Sequence, residues 1–425
     1  MAFQTHLIRF ARFLLGFLLT SVGCATPHQA PTQVNDCPPE CTVSGDSPPA
    51  GFERFCATKA GVRHGPYMTW YSSGKTKEAG FYDDGLRAGP VKFFYANGIL
   101  KTTGVYVAGV QDGDWRYFWS NGEPRSTGAY VAGQPDGEWT YWFPDGQISN
   151  QGKIAAGARI GPWKTFWENG KLASDGVYVD GKKDGPWQFW HETGEKHSAG
   201  SYEADKAQGM WSFWNADGVR IEEGAYDKAR PNGRWSHWHD NGTLSSTGEY
   251  LLGNQDGKWT FWFDNGQRET EGSYVNGLAQ GEWISYDLNG KKTEEGSYKA
   301  GVREGVWKGY KHGQIAWEGS FTSDVMDGSW RYFHANGKVS SEGIYIDGVT
   351  QGVWQWWFEN GQLSSRGIFE NGVRAGTWEF FWPNGKLQSS GAYQAGMSSG
   401  DWKFFLEDGS LDPKGVAPQS APETP

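Results

Sequence analysis

The chain has 425 residues, a formal net charge of -10 and a pI near 5.5, so it lacks the basic footprint of a nucleic-acid binder. Its 62 Gly, 25 Trp, 19 Tyr and 24 Phe, set against few aliphatic residues, exclude a large helical core. They point to many short strands joined by tight turns.

Residues 1–24 place Arg9 and Arg12 ahead of an apolar run that ends in small residues, the layout of an export signal and too short for a membrane span. Ser21-Val22-Gly23-Cys24 resembles a bacterial lipobox, which implies an acylated Cys24 and a lipid-anchored protein of the cell envelope, at the outer membrane or cell surface. Cleavage after Ala25 and an unprocessed thiol are the alternatives. Residues 25–50 are polar with six prolines and read as a disordered tether. Export leaves Cys37, Cys41 and Cys56, an odd number. In the repeat frame described next, Cys41 falls at a repeat start and Cys56 at a strand-glycine position, which predicts a Cys41–Cys56 clip on a partial capping unit. A three-cysteine metal site has no histidine nearby to support it.

From about residue 51 to 410 the chain repeats itself. With the glycine of "GKW" as position zero, units start at 65, 89, 113, 137, 161, 185, 209, 233, 257, 281, 305, 328, 352, 376 and 400, every interval being 24 except one of 23. Position two is Trp in thirteen of the fifteen units, position five is aromatic in all, and positions nine and fifteen are always Gly. Asn-Gly or Asp-Gly at eight and nine, between two strand-like runs, predicts a β-hairpin with a type I′ turn. That centre pairs two with fifteen, four with thirteen and five with twelve. Each position-two indole then covers a bare strand glycine.

The short unit tests the register. In "GVWKGYKHGQIAWEGSF", Gly309 takes position four and Trp317 takes position thirteen, small or polar in the other units. The bulky group has crossed to the partner strand, as expected if four faces thirteen. Aromatics at two, four and six are expected on one face, and those at five and seventeen on the other. The fold class predicted is all-β: an elongated, twisted antiparallel sheet of about fifteen hairpins, advancing ~9.6 Å per unit and reaching on the order of 140 Å if open. Residues 411–425 read as a disordered tail.

The pattern in "GPWKTFWENGKLASDGVYVDGKKDG", residues 161–185, resembles the MORN-repeat variant of bacterial proteins labelled YwqK-type antitoxins. The resemblance implies strings of two-stranded hairpins that serve chiefly as scaffolds with protein or lipid partners, and leaves an immunity or antitoxin-like role open. Short hairpins with "GxWYY"-like openings also resemble choline- and glucan-binding repeats, which implies aromatic ligand platforms.

No nucleophile elbow, phosphate loop or His-Glu-x-x-His occurs, so no catalytic residue, cofactor or metal is expected. His237 and His239 share a strand face, but His191 is too distant by strand spacing to share an ion with them. Turn chemistry accounts for Asp-Gly pairs such as Asp112-Gly113 and Asp256-Gly257 without calcium. The position-five ladder is the binding candidate: Trp142, Trp190, Trp214, Trp238, Trp262 and Trp357, with four tryptophans in successive units. Flat rings in a polar surround suit a protein partner or, alternatively, a glycan, while packing against the position-seventeen tyrosine is the structural alternative. The function expected is a non-enzymatic scaffold that binds protein partners in the envelope, tethered through Cys24.

Overall fold

A computed structural model describes residues 29–415. Cys24 and the predicted signal segment lie outside the described residues. The fold is all-β, with 31 strands and no helix among the described residues. The chain divides into two compact units, Met1–Arg159 and Ile160–Pro425. In the first, strands from Cys41–Asp46 to Ile148–Ala155 pair antiparallel in chain order. In the second the same rule holds as far as Met397–Phe404.

Strands Asn254–Trp262 and Arg268–Val275 show the hairpin in full. Trp259 faces Gly272 and Phe261 faces Thr270, so the pairings two–fifteen and four–thirteen hold. Trp262 faces Arg268, which is position eleven instead of the expected twelve, across a register shift. The turn explains the shift. Phe263 donates its N–H to the Gln267 carbonyl at 2.9 Å, Gly266 donates to the Phe263 carbonyl at 2.9 Å, and only Gly266 has positive φ. That is the three-residue connection closed by a left-handed glycine, not the type I′ turn expected from Asn-Gly. Asn265 takes a different part. Its Oδ1 accepts the Gln267 N–H at 2.9 Å, and its Nδ2 donates to the Leu288 carbonyl of the next repeat at 3.0 Å. Asparagine suits this column because one side chain closes its own turn and ties it to its neighbour.

Type I′ turns occur instead between repeats. Val275 faces Leu278, and the two residues between them, Asn276 and Gly277, have φ of 51° and 82°. The short unit also turns this way. His312 and Gly313, at φ 54° and 84°, connect paired Lys311 and Gln314, so the missing residue converts one turn type into the other. Trp317 pairs with Gly309, lies over it, and stacks on Trp330 at 5.3 Å and 21°, as the register test required.

One face of each hairpin is closed by aromatic rings. A Cβ built on Gly272 falls inside the indole of Trp283, and the same relation links Gly104 to Trp115, Gly248 to Trp259 and Gly343 to Trp354. The covering indole therefore comes from the following repeat, although the glycine pairs with the tryptophan of its own. The ring is held there by its Nε1–H, which in Trp283 donates to the Ser273 carbonyl at 3.2 Å. Tyr274 meets Trp283 edge-on at 5.0 Å and Trp259 at 6.3 Å. Position seventeen thus shares the buried face with two and four, contrary to expectation, because pairing two with fifteen places every second residue of the return strand on that side.

The first hairpin corrects the cysteine assignment. The disulfide joins Cys37 to Cys56, with Cα atoms 5.6 Å apart, and Cys41 is a free thiol. Cys41 faces Thr58 while Cys56 faces Val43, so Cys41 is two residues out of register with its expected partner. Cys37 reaches Cys56 because the chain folds back at Pro38, whose carbonyl accepts the Cys41 N–H at 2.9 Å. Part of the expected tether is consequently ordered: Cys41–Asp46 is a strand, and Val34 is buried against Cys56 and Met68. At the other end, Leu411 bridges Phe405 and Gly415 lies against Phe404, so residues 411–415 continue the fifteenth repeat instead of starting the tail.

Candidate binding face

Positions one, three, five, fourteen and sixteen share the face opposite the indole-on-glycine layer, since alternate residues of a strand point the same way. Trp142, Trp190, Trp214, Trp238, Trp262 and Trp357 are all half-buried there. Trp142 belongs to the first unit. The run from Trp190 to Trp262 occupies consecutive repeats of the second, and Trp357 stands further along it. The position-seventeen tyrosines pack on the position-two indoles, so they are not what covers these rings.

The strands between supply something the sequence reading missed. Trp190 pairs with Lys196, Trp214 with Arg220, Trp238 with Leu244 and Trp262 with Arg268. Lys196 Nζ lies 5.8 Å from the Trp214 ring centre and the Arg220 guanidinium 4.3 Å from that of Trp238. Arg220 is paired with Glu223 at 2.7 Å and Arg268 with Glu271 at 3.1 Å. The signal was present in column eleven, which is aliphatic at Leu172, Leu244 and Leu363 but cationic at Lys196, Arg220, Arg268 and Lys292. One side of Trp214 and one of Trp238 are thus already occupied by a cation.

The backbone under this row is held by position six, whose polar rings reach the next repeat. Trp167 Nε1–H donates to the Trp190 carbonyl at 3.1 Å, and His239 Nε2 bonds the Trp262 carbonyl at 2.8 Å. Further along, position-one and position-sixteen residues are apolar and open. Val353 (56% exposed) faces Ile368 (37%), and Ile344 (43%) lines a shallow recess with Val353 and Gln355.

His237, His239, His191 and Asp112, singled out from sequence, have structural partners. His237 takes the position-four place on the buried face, between Trp235 at 6.1 Å and Trp259 at 6.2 Å, with Nδ1 3.0 Å from Ser246 Oγ. His191 stands 4.7 Å from His197. Asp112 accepts the Ala132 N–H at 3.3 Å and so caps the turn between repeats; Asn232, Gln280 and His64 do the same for Leu252, Ala300 and Asp84. His64 also lies close to the Asp83 and Asp84 carboxylates, both of them exposed.

Burial pushes the His237 pKa below its ordinary value, with nearby Glu222 opposing the shift. The unfolded chain therefore takes up that proton first. The neutral ring's contribution to stability is full above the ordinary histidine value near 6.5 and is lost as pH falls from there towards the lower folded value. Denaturant melts from pH 7 to pH 5 should show a smaller acid-side loss for His237→Phe than for the native protein. Equal losses in the two proteins would refute this.

Comparison with known proteins fits the repeat geometry. Eight segments match the MORN repeat variant: residues 87–108, 135–153, 159–180, 255–276, 279–300, 326–347, 350–371 and 374–395. Seven of the eight matches run from just after one type I′ turn into the next and so coincide with hairpin units, while 135–153 stops short of the turn at Ala156-Gly157. No curated protein matches the chain. Among solved structures, that of TcdB2-TccC3 is similar at 9% identity over 85% of this chain and 20% of that one, with a TM-score of 0.15. That of TcdB2-TccC3-Cdc42 is similar at 10% identity over 87% and 21%, with a TM-score of 0.12. The chain spans about a fifth of the length of these structures.

Proposed function

We propose that this MORN-repeat chain is a non-enzymatic scaffold of the cell envelope, anchored through Cys24, whose position-five face receives a protein partner. The observation that carries this reading is the contrast between faces: one is sealed by indoles on glycines, while the other leaves Ile344, Val353 and Ile368 open along the strand face that bears Trp357. Exposed apolar residues flanked by polar ones are what protein interfaces desolvate. Glycan binding on the tryptophan run is the second reading. It is weakened at Trp214 and Trp238, where Lys196 and Arg220 already lie over the rings.

Cross-linking in native membranes followed by affinity capture tests the first reading. A partner captured by the native chain should be lost from Val353→Glu with Ile368→Glu, both exposed positions whose change leaves the sealed face intact. Undiminished capture would sink the assignment. Labelled palmitate should enter the native chain and not Cys24→Ser. A shift in tryptophan fluorescence on adding peptidoglycan or glucans, abolished by Trp214→Ala with Trp238→Ala, would favour the glycan reading instead.

A further inference from the structure

Twelve asparagines in the chain are followed by glycine, and the structure divides them sharply. Nine stand at position eight of the hairpin turn. Eight of these, Asn97 and Asn121 in the first unit and Asn169, Asn241, Asn265, Asn336, Asn360 and Asn384 in the second, are tied at both ends of the side chain. In Asn241, for example, Oδ1 accepts the Thr243 N–H at 2.9 Å and Nδ2 donates to the Asp264 carbonyl at 2.8 Å. The ninth, Asn289, is hydrogen-bonded to Asp287. Asn232 holds the Leu252 N–H on its Oδ1 at 3.3 Å. The remaining two, Asn276 and Asn371, occupy the first left-handed position of the turns between repeats, at φ 51° and 50°. Both are exposed, and among the described residues neither side chain makes a hydrogen bond.

We propose that Asn276 and Asn371 are sites of spontaneous deamidation, and that the position-eight ladder shields its eight doubly bonded asparagines from the same reaction. Once its N–H has left the Gln255 carbonyl that it bonds at 2.8 Å, the backbone nitrogen of Gly277 attacks Asn276 Cγ, the new N–Cγ bond closes a five-membered succinimide, and the Cγ–Nδ2 bond breaks. Ammonia leaves, taking up the proton released by the glycine nitrogen. Water then opens the ring at either carbonyl, giving aspartate or isoaspartate with no change in oxidation state. Glycine favours the attack because no side chain crowds its nitrogen. The attack also requires the asparagine side chain to swing over its own backbone, which two simultaneous hydrogen bonds prevent at position eight. Each event adds a negative charge to a chain already at -10. Isoaspartate also lengthens the backbone within a two-residue turn that fixes the register between repeats.

Peptide mapping of the full chain after incubation in mildly alkaline buffer made with oxygen-18 water reads each site separately. In the folded protein, Asn276 and Asn371 should convert several-fold faster than Asn241 and Asn265, and the difference should vanish in concentrated urea. Gly277→Ala should suppress conversion at Asn276 while leaving Asn371 unchanged. Alanine fits this turn, since Ala229 occupies the equivalent place at φ 67°. Equal rates across folded sites, or the same ranking retained in urea, would overturn the proposal. So would conversion of Asn276 undiminished by Gly277→Ala.

Discussion

Gly272→Ala is expected to destabilise the second unit by about 3 kcal/mol or more, near or beyond the upper end of ordinary overpacking. The added methyl group would fall inside the Trp283 indole, so the ring must leave the strand that it covers. Leaving also breaks its Nε1–H bond to the Ser273 carbonyl and its edge contact with Tyr274. Gly281→Ala is the matched control. A Cβ there meets nothing within 4 Å, and the cost is confined to holding alanine at φ 71°, about 1–2 kcal/mol. Chemical denaturation, read as a change in midpoint at constant slope, distinguishes the two. Combining Gly272→Ala with Trp283→Ala should cost less than the sum of the single changes, because the clash disappears with the ring. Equal costs at Gly272 and Gly281 would show that the indole does not rest on the glycine.

Trp354→Ala should cost about 3–5 kcal/mol, the range for emptying a large buried aromatic site. The ring is 0% exposed, packs at 5.8 Å from Trp356, and donates to the Ile344 carbonyl at 3.2 Å. Its neighbour Trp357, three residues on and on the opposite face, is half-buried, so Trp357→Ala should cost well under half as much. The pair separates packing from recognition. If position five serves binding, Trp357→Ala loses partner capture while its midpoint stays near native. Comparable losses of stability at both positions would place Trp357 in the structural framework. Each repeat rests on its neighbours, so the effect of Trp354→Ala should spread to the adjoining hairpins.

Much of the hairpin was legible because its rules are local. The pairing of four with thirteen was recoverable from one irregular unit, where Gly309 and Trp317 exchange the usual sizes. The turn type was not legible from Asn265-Gly266 alone, since that dipeptide serves both a two-residue turn and a three-residue turn closed by glycine. What decided it was how many residues lie between paired positions, together with the bond from Asn265 to Leu288 in the next repeat. The cation row was written in column eleven but gained meaning only when Arg220 proved to lie over Trp238. The disulfide needed three dimensions, because Cys37 reaches Cys56 only after the fold-back at Pro38.

The sequence by itself determined the 24-residue period, the hairpin and the two-to-fifteen register, because glycine positions and alternation act within a few residues of one another. The tertiary structure alone decided that Trp283 covers Gly272 of the preceding repeat, that Tyr274 joins the sealed face, and that Ile344, Val353 and Ile368 stay open. A strand glycine has a tryptophan on either side. Which indole lies down on it is settled by packing between repeats, a contact that no rule internal to one hairpin contains.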